Sequence, residues 1–264
     1  MEFLTHLFKQ GLHYSALNTA RSALSAFLKV DGKQVGEHPL VCRFLKGVFN
    51  LRPSLPKTNV TWDPNCVLRF IRGWSPVKSL TLKRLSLKVA TLLTLLTSQR
   101  GQSIHLIDVR NLDLNPHRIK IRFGDVLKTT RPGFHQHELT IKAFAPDRRL
   151  CICVVLKEYL DRTKELRGTA TPLLLSYVKP FRPISRDTLS RWLKVVLKLA
   201  GVDLSIFTPH SIRAAASSSA SSSKVPIATI MKTAGWSRAE TFASYYKKEI
   251  IHEGKLGEVL LKKV

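Results

Sequence analysis

Acidic residues, cysteines and long apolar runs are scarce in this chain, and each scarcity excludes something. Only 18 of its 264 residues are Asp or Glu, against 43 Lys and Arg, so the formal net charge is +25 and the pI about 10.4. Such an excess opposes a compact state by self-repulsion unless a polyanion neutralises it, which points to nucleic acid or an anionic surface. The plainer alternative is a solvated basic surface with no ligand. The four cysteines, Cys42, Cys66, Cys151 and Cys153, lack the C-x-x-C or Cys/His spacing of a zinc module. No metal centre is expected from them, and reduced thiols in an intracellular protein are the default. No stretch approaches the ~20 apolar residues of a membrane span. Met1 is followed by Glu2 rather than by a basic segment and an apolar core, so secretion is not expected either. A hydrophobic content of 44% argues against wholesale disorder.

Periodicity organises the rest. Phe3, Leu4, Leu7 and Phe8 form an apolar helical stripe that Gly11 breaks, and Ser15 is placed to cap a second helix through Leu17, Ala20, Leu24 and Phe27. The chain thus starts inside a helix, as expected of a fragment whose N-terminal part lies elsewhere. His38 to Asn50 carries another stripe (Val41, Phe44, Leu45, Val48), ended by the Pro-rich segment Arg52–Pro56. Thr58 to Asp63 reads as loop, and Trp62 to Trp74 as a short helix. Ser75-Pro76-Val77-Lys78 is the best domain boundary, giving an all-helical module over residues 1–76 and a second domain over 77–264. The first is too small for a large core. Its basic residues, among them Lys9, Arg21, Lys33, Arg43 and Lys46, suit a clamp on a phosphate backbone.

Leu80 to Thr97 is a strongly apolar helix, so Arg100 just beyond it must be either salt-bridged or lining an anion site. Alternation marks strands at Arg118–Phe123 and His137–Phe144. The connection between them, Gly124 to Gln136, would make a β-hairpin with Lys128 at a cationic tip; alone, Lys128 reads equally as a solvated lysine. Residues 151–165 and 185–200 are amphipathic helices with Gly168 and Gly201 just beyond. The Ala/Ser-rich run Ala214–Ser223 sits between patterned segments and reads as a tightly packed helix rather than a linker. No internal repeat is present. The mixture of helices with a hairpin is an α+β pattern.

Residues 208–248 concentrate side chains that act on phosphates. Pro209 sits near a helix start, where its missing N–H costs nothing, and His210 and Arg213 then share one face. A guanidinium can grip two phosphate oxygens while a neighbouring imidazole moves a proton. H-x-x-R by itself recurs by chance, but Trp236, Tyr245 and Tyr246 follow it.

Taken in order, Arg100, Lys128, His210, Arg213, Trp236 and the pair Tyr245–Tyr246 resemble the tyrosine recombinase (phage integrase) family, in which Arg, Lys, His-x-x-Arg, His or Trp, and Tyr occur in that succession. The segments LTSQRGQS, LKTTRPG, TPHSIRAAASS and AGWSRAETFASYY are most similar to recombinases of eukaryotic DIRS-like retroelements and Cryptons. The match runs from Leu4 to about Ile250. It implies a small all-α, SAM-like core-binding domain followed by a mainly helical catalytic domain with a small antiparallel sheet. It also implies site-specific DNA recombination through a 3′-phosphotyrosyl intermediate, with no metal, cofactor or small-molecule substrate. Under it, Arg100 and Arg213 hold the scissile phosphate, His210 assists proton transfer and Trp236 donates its indole N–H. Lys128 acts as general acid, and Tyr245 or Tyr246 attacks. Spacing favours Tyr245, while the ending typical of the retroelement enzymes favours Tyr246. One departure is Ser103, which stands where many relatives carry a carboxylate. The implied partners are double-stranded DNA and, on it, three further copies of the chain, with the C-terminal tail as a helix given to a neighbour; the implied location is the nucleus. A truncated or domesticated DNA-binding derivative, and a type IB topoisomerase-like enzyme, are the alternatives.

Overall fold

Helices account for about half of the described residues, and the fold is α+β, as the periodicities predict. The computed structural model describes residues 1–53, 59–128, 130, 132–133 and 138–251. By contacts the chain divides into Met1–Thr58 and Asn59–Val264.

The smaller unit holds α1 (Glu2–Lys9), α2 (Tyr14–Ser25), a ribbon of β1 (Lys29–Val30) and β2 (Lys33–Gln34), and α3 (Pro39–Leu51). Leu4, Leu17, Val41, Leu45 and Val48 are its buried core, the stripes expected from spacing. The residue at the start of α2 is His13 rather than Ser15. The ribbon was not evident from periodicity. It turns on Asp31 (φ 48°) and Gly32 (φ 76°), the left-handed pair that a two-residue hairpin needs. Arg52 ties the end of α3 to α1, its Nη1 donating to the Phe8 carbonyl at 2.9 Å with the guanidinium 4.0 Å from the Phe8 ring centre.

The larger unit runs through β3 (Val60–Trp62), α4 (Pro64–Arg72), α5 (Leu82–Thr97), α6 (Gly101–His105), β4 (Leu112–Leu114), β5 (Arg118–Ile121) and β6 (Leu139–Lys142). It continues with α7 (Ile152–Thr163), α8 (Arg186–Leu199), α9 (Ser211–Ser222), α10 (Ile227–Ala234), α11 (Ala239–Tyr245) and β7 (Glu249–Ile251). Its centre is α5, whose residues are buried from Leu85 to Thr97 except Leu96, and which packs against α7, α8 and α9. The antiparallel sheet β4–β5–β6 presses Ile119, Ile121 and Leu139 into the same core. The expected hairpin is therefore β5–β6, with Lys128 exposed in its connection; residues 129, 131 and 134–137 of that connection lie outside the described residues.

Three local expectations change. The helix expected from Trp62 starts at Pro64, because Asp63 caps it by accepting from the Asn65 N–H at 2.9 Å. Residues before it are not loop: β3 pairs in parallel with β7, Thr61 opposite Ile250. A three-residue strand whose partner follows far along the chain has no local signature. For the same reason the tail after Tyr246 begins as strand rather than helix, and the helix expected further on falls on residues 252–264, outside the described residues. The contact division at Thr58/Asn59 also puts α4, N-terminal to Ser75–Lys78, with the larger unit. Val67 and Ile71 are fully buried in that unit's core. Among the described residues no helix is long and apolar enough to cross a membrane.

Candidate active site

Three helix ends build the site. At the first, α5 stops at Ser98 in a left-handed conformation (φ 50°), and Gln99 is buried with its Nε2 donating to the Thr233 carbonyl at 2.7 Å. That bond ties the segment leading into Arg100 to the end of α10. Arg100 follows, half-buried, at the start of α6.

The second is the start of α9. His210 opens the helix and Arg213 lies in its first turn, 1% exposed. The Trp62 indole N–H donates to Ser211 Oγ at 2.8 Å, and Ser211 Oγ donates to the Thr208 carbonyl at 2.7 Å, fixing the turn that presents the imidazole. The third is the end of α10, where Gly235 (φ 68°) takes the left-handed cap that a residue with a Cβ rarely adopts and turns the chain so that Trp236 folds back under α11.

These ends converge on one cluster. The Trp236 and Tyr246 rings are 4.6 Å apart at 35°, and the Arg213 guanidinium lies 5.0 Å from the first and 5.2 Å from the second. Arg213 Nη2 donates to the Ala234 carbonyl at 3.1 Å. Its Nε and Nη1, and the Trp236 Nε1, are buried and have no hydrogen-bond partner among the described residues. Leaving such donors unmet is costly, more so when one belongs to a cation, and natural proteins avoid it outside functional sites. Donors of a guanidinium and an indole, gathered beside a phenol, suit a polyoxygen anion.

His210 Nε2 and the Tyr246 hydroxyl are 3.2 Å apart. Although His210 as a whole is exposed, its ring sits deep enough for desolvation to be the largest cause lowering its pKa below the ordinary 6.5. The positive charges of Arg213, Arg100, Lys128 and Lys248 act in the same direction, so the imidazole is neutral at pH 7. With its proton on Nδ1, Nε2 accepts the phenol's hydrogen bond. Burial also pushes the Arg213 guanidinium down to about 10, Tyr246 acting upward and Arg100 downward; it stays charged at neutral pH.

The structure thus joins His210, Arg213, Trp236 and Tyr246 by contact, and brings Arg100 and Lys128 within electrostatic reach of the imidazole. The side chain of Tyr245 lies outside the described residues. No carboxylate among the described residues forms an ion pair with Arg100, Lys128 or Arg213. With Ser103 in place of an acid, Arg213 is held by a carbonyl and two aromatic faces instead. Gln99 and Lys248 also belong to the site and were missed. Lys248 follows the tyrosine pair closely, but one lysine in a chain this basic carries no signal.

Residues 78–250 match the Phage integrase family. The chain belongs to that family. Solved structures agree on the fold of this integrase-family protein. "Crystal structure of XerH site-specific recombinase bound to palindromic difH substrate: post-cleavage complex" is 14% identical, with a TM-score of 0.63 over 98% of this chain and 70% of that one. The Tn1549 transposon integrase in complex with circular intermediate DNA is 17% identical, with a TM-score of 0.59 over 99% and 84%. A lambda integrase tetramer bound to a Holliday junction is 18% identical, with a TM-score of 0.51 over 90% and 62%. Among curated proteins no match is found.

Proposed function

We propose that this integrase-family protein is a tyrosine recombinase that cuts and rejoins double-stranded DNA through Tyr246. The observation that supports it most is the meeting of unmet buried donors, Arg213 Nε and Nη1 and Trp236 Nε1, with a phenol held against a neutral imidazole. A scissile phosphate in that place meets the donors with its non-bridging oxygens, and Arg100 adds a second guanidinium. The Tyr246 oxygen attacks phosphorus while its proton passes to His210 Nε2. The P–O5′ bond breaks, and Lys128 protonates the leaving 5′ oxygen. The 3′-phosphotyrosyl bond conserves the energy of the broken linkage, so the 5′-hydroxyl of another strand can attack it and restore Tyr246. Charge gathering on the phosphate oxygens in the transition state is offset by the guanidinium and indole donors.

The smaller unit, Met1–Thr58, acts as the core-binding part, with exposed Lys9, Lys29, Lys33, Arg43 and Lys46 on the phosphate backbone. Recombination joins two duplexes and uses four sites, so four protomers act together on DNA; the lambda integrase tetramer on a Holliday junction supports that arrangement. The resemblance of LTSQRGQS, LKTTRPG, TPHSIRAAASS and AGWSRAETFASYY to DIRS-like and Crypton recombinases supports a mobile-element role in a nucleus.

The test uses a randomised pool of nicked duplexes in which cleavage releases a short fragment and traps the enzyme on DNA. The parent chain is expected to form a covalent adduct that Tyr246→Phe abolishes and Tyr245→Phe keeps. Adduct persisting in Tyr246→Phe moves the attack to Tyr245; no adduct from the parent, with binding intact, leaves a DNA-binding protein only.

A further inference from the structure

Ser218 lies on α9 five residues beyond Arg213, is 2% exposed, and makes its hydrogen bonds outside its own helix. Its Oγ donates to the Tyr246 carbonyl at 2.6 Å and accepts from the Lys248 N–H at 3.0 Å. The neighbouring Ser217 does what a mid-helix serine ordinarily does, donating back to the Arg213 carbonyl at 2.6 Å. The two serines are alike in sequence and opposite in use.

The groups Ser218 holds bracket the junction between α11 and β7. The Tyr246 and Lys247 N–H groups both donate to the Phe242 carbonyl, at 2.9 and 2.8 Å, which closes the helix. The Tyr246 carbonyl and the Lys248 N–H then stand between the last turn of α11 and the strand that begins at Glu249. Ser218 Oγ meets both groups at once, so one buried hydroxyl fixes the backbone of Tyr246 relative to α9. The same helix carries His210 at its start and Arg213 in its first turn.

The geometry points to Ser218 as a positioning residue that holds the Tyr246 backbone so that the phenol stays in reach of His210 Nε2 and in line with the Arg213 donors. This rests on Tyr246 as the nucleophile. Helix α9 then carries both halves of the chemistry, the phosphate grip at one end and the strap on the nucleophile a turn and a half later. Removing the hydroxyl leaves a partly buried carbonyl and amide without that partner and frees the junction to shift. A misplacement of about 1 Å at a reacting group costs on the order of a hundredfold in rate.

The experiment compares single-turnover adduct formation on the duplex selected above for the parent, Ser218→Ala, Ser218→Thr and Tyr246→Phe, alongside DNA affinity and thermal melting. Ser218→Ala is expected to cleave about tenfold to a hundredfold more slowly with unchanged DNA affinity, and Ser218→Thr, which keeps the hydroxyl, to recover the rate. If Ser218→Ala melts below the assay temperature, Ser218→Cys replaces it, keeping the volume with a weaker donor and acceptor; slow cleavage with intact binding is again expected. Parent-rate cleavage by Ser218→Ala, or a parallel loss of affinity and cleavage, overturns the proposal. Adduct surviving in Tyr246→Phe overturns the choice of nucleophile first and the role of Ser218 with it, so the two failures read differently.

Discussion

In the proposed reaction, the 3.2 Å contact between His210 and Tyr246 would make cleavage depend on which of the two carries the proton. A base must be neutral to accept it, and burial together with four nearby cations lowers the imidazole pKa below 6.5. Cleavage is therefore expected to rise with pH through a midpoint below 6.5 and to level off by neutrality, in single-turnover rates measured from acid upward. His210→Ala is expected to lose that limb and about 10²–10⁴-fold in rate; an unchanged profile would show that the imidazole is not the base. Trp236 separates packing from donation. Its ring packs tilted against Phe242 at 5.4 Å and against Tyr246, whereas its Nε1 meets nothing among the described residues. Trp236→Phe keeps most of the packing and removes only the donor. Its melting temperature should stay near the parent's, while cleavage drops by about 10²-fold, the usual loss for one such donor.

Helix α5 shows what burying a whole element demands. Lys88 is fully buried on it, and its Nζ donates to the Trp74 carbonyl at 2.6 Å. Desolvation is the main cause bringing its pKa down to about 8, with Asp147 opposing and Arg149 assisting. Between about pH 8 and 10.5 the unfolded chain holds a proton that the folded chain has released, so stability rises with pH across that window. The gain is at most about 3 kcal/mol from a shift of this size. Urea unfolding from pH 7 to 11 should show that rise, and Lys88→Met should flatten it; an equal rise in the variant assigns the slope elsewhere. The Lys88 bond joins α5 to the segment just after α4, and α4 itself packs against α8 and α9 in the same unit.

Across the whole molecule, the charge of +25 sets what is expected of the proposed DNA binding. Counterions leave the duplex as Lys and Arg neutralise phosphates, so affinity should fall by on the order of 10³-fold or more between ~50 and ~200 mM salt. Filter binding or fluorescence anisotropy across that range reads the slope, and a flat response would mean that the basic surface does not carry the binding. Light scattering of the saturated complex reads the assembly: four protomers with two duplexes are expected, and a complex that stays monomeric at saturation counts against exchange between duplexes.

Much of the larger unit was legible from the chain alone, because long elements advertise their burial through period. The α5 stripe, the alternating β5 and β6, the helices α7 and α8, and the succession Arg100, Lys128, His210, Arg213, Trp236 and Tyr245–Tyr246 all stand in the residues themselves. Only the tertiary structure could decide what depends on distant partners. The β3–β7 pair joins residues at opposite ends of the larger unit. Gln99 reaches Thr233, and Ser218 rather than Ser217 grips the segment after α11. Spacing points to Tyr245 and the retroelement-type ending to Tyr246; the fold sets the Tyr246 hydroxyl against His210. Period reports which face of an element is buried, whereas a hydrogen bond between segments far apart in the chain leaves no trace in local sequence.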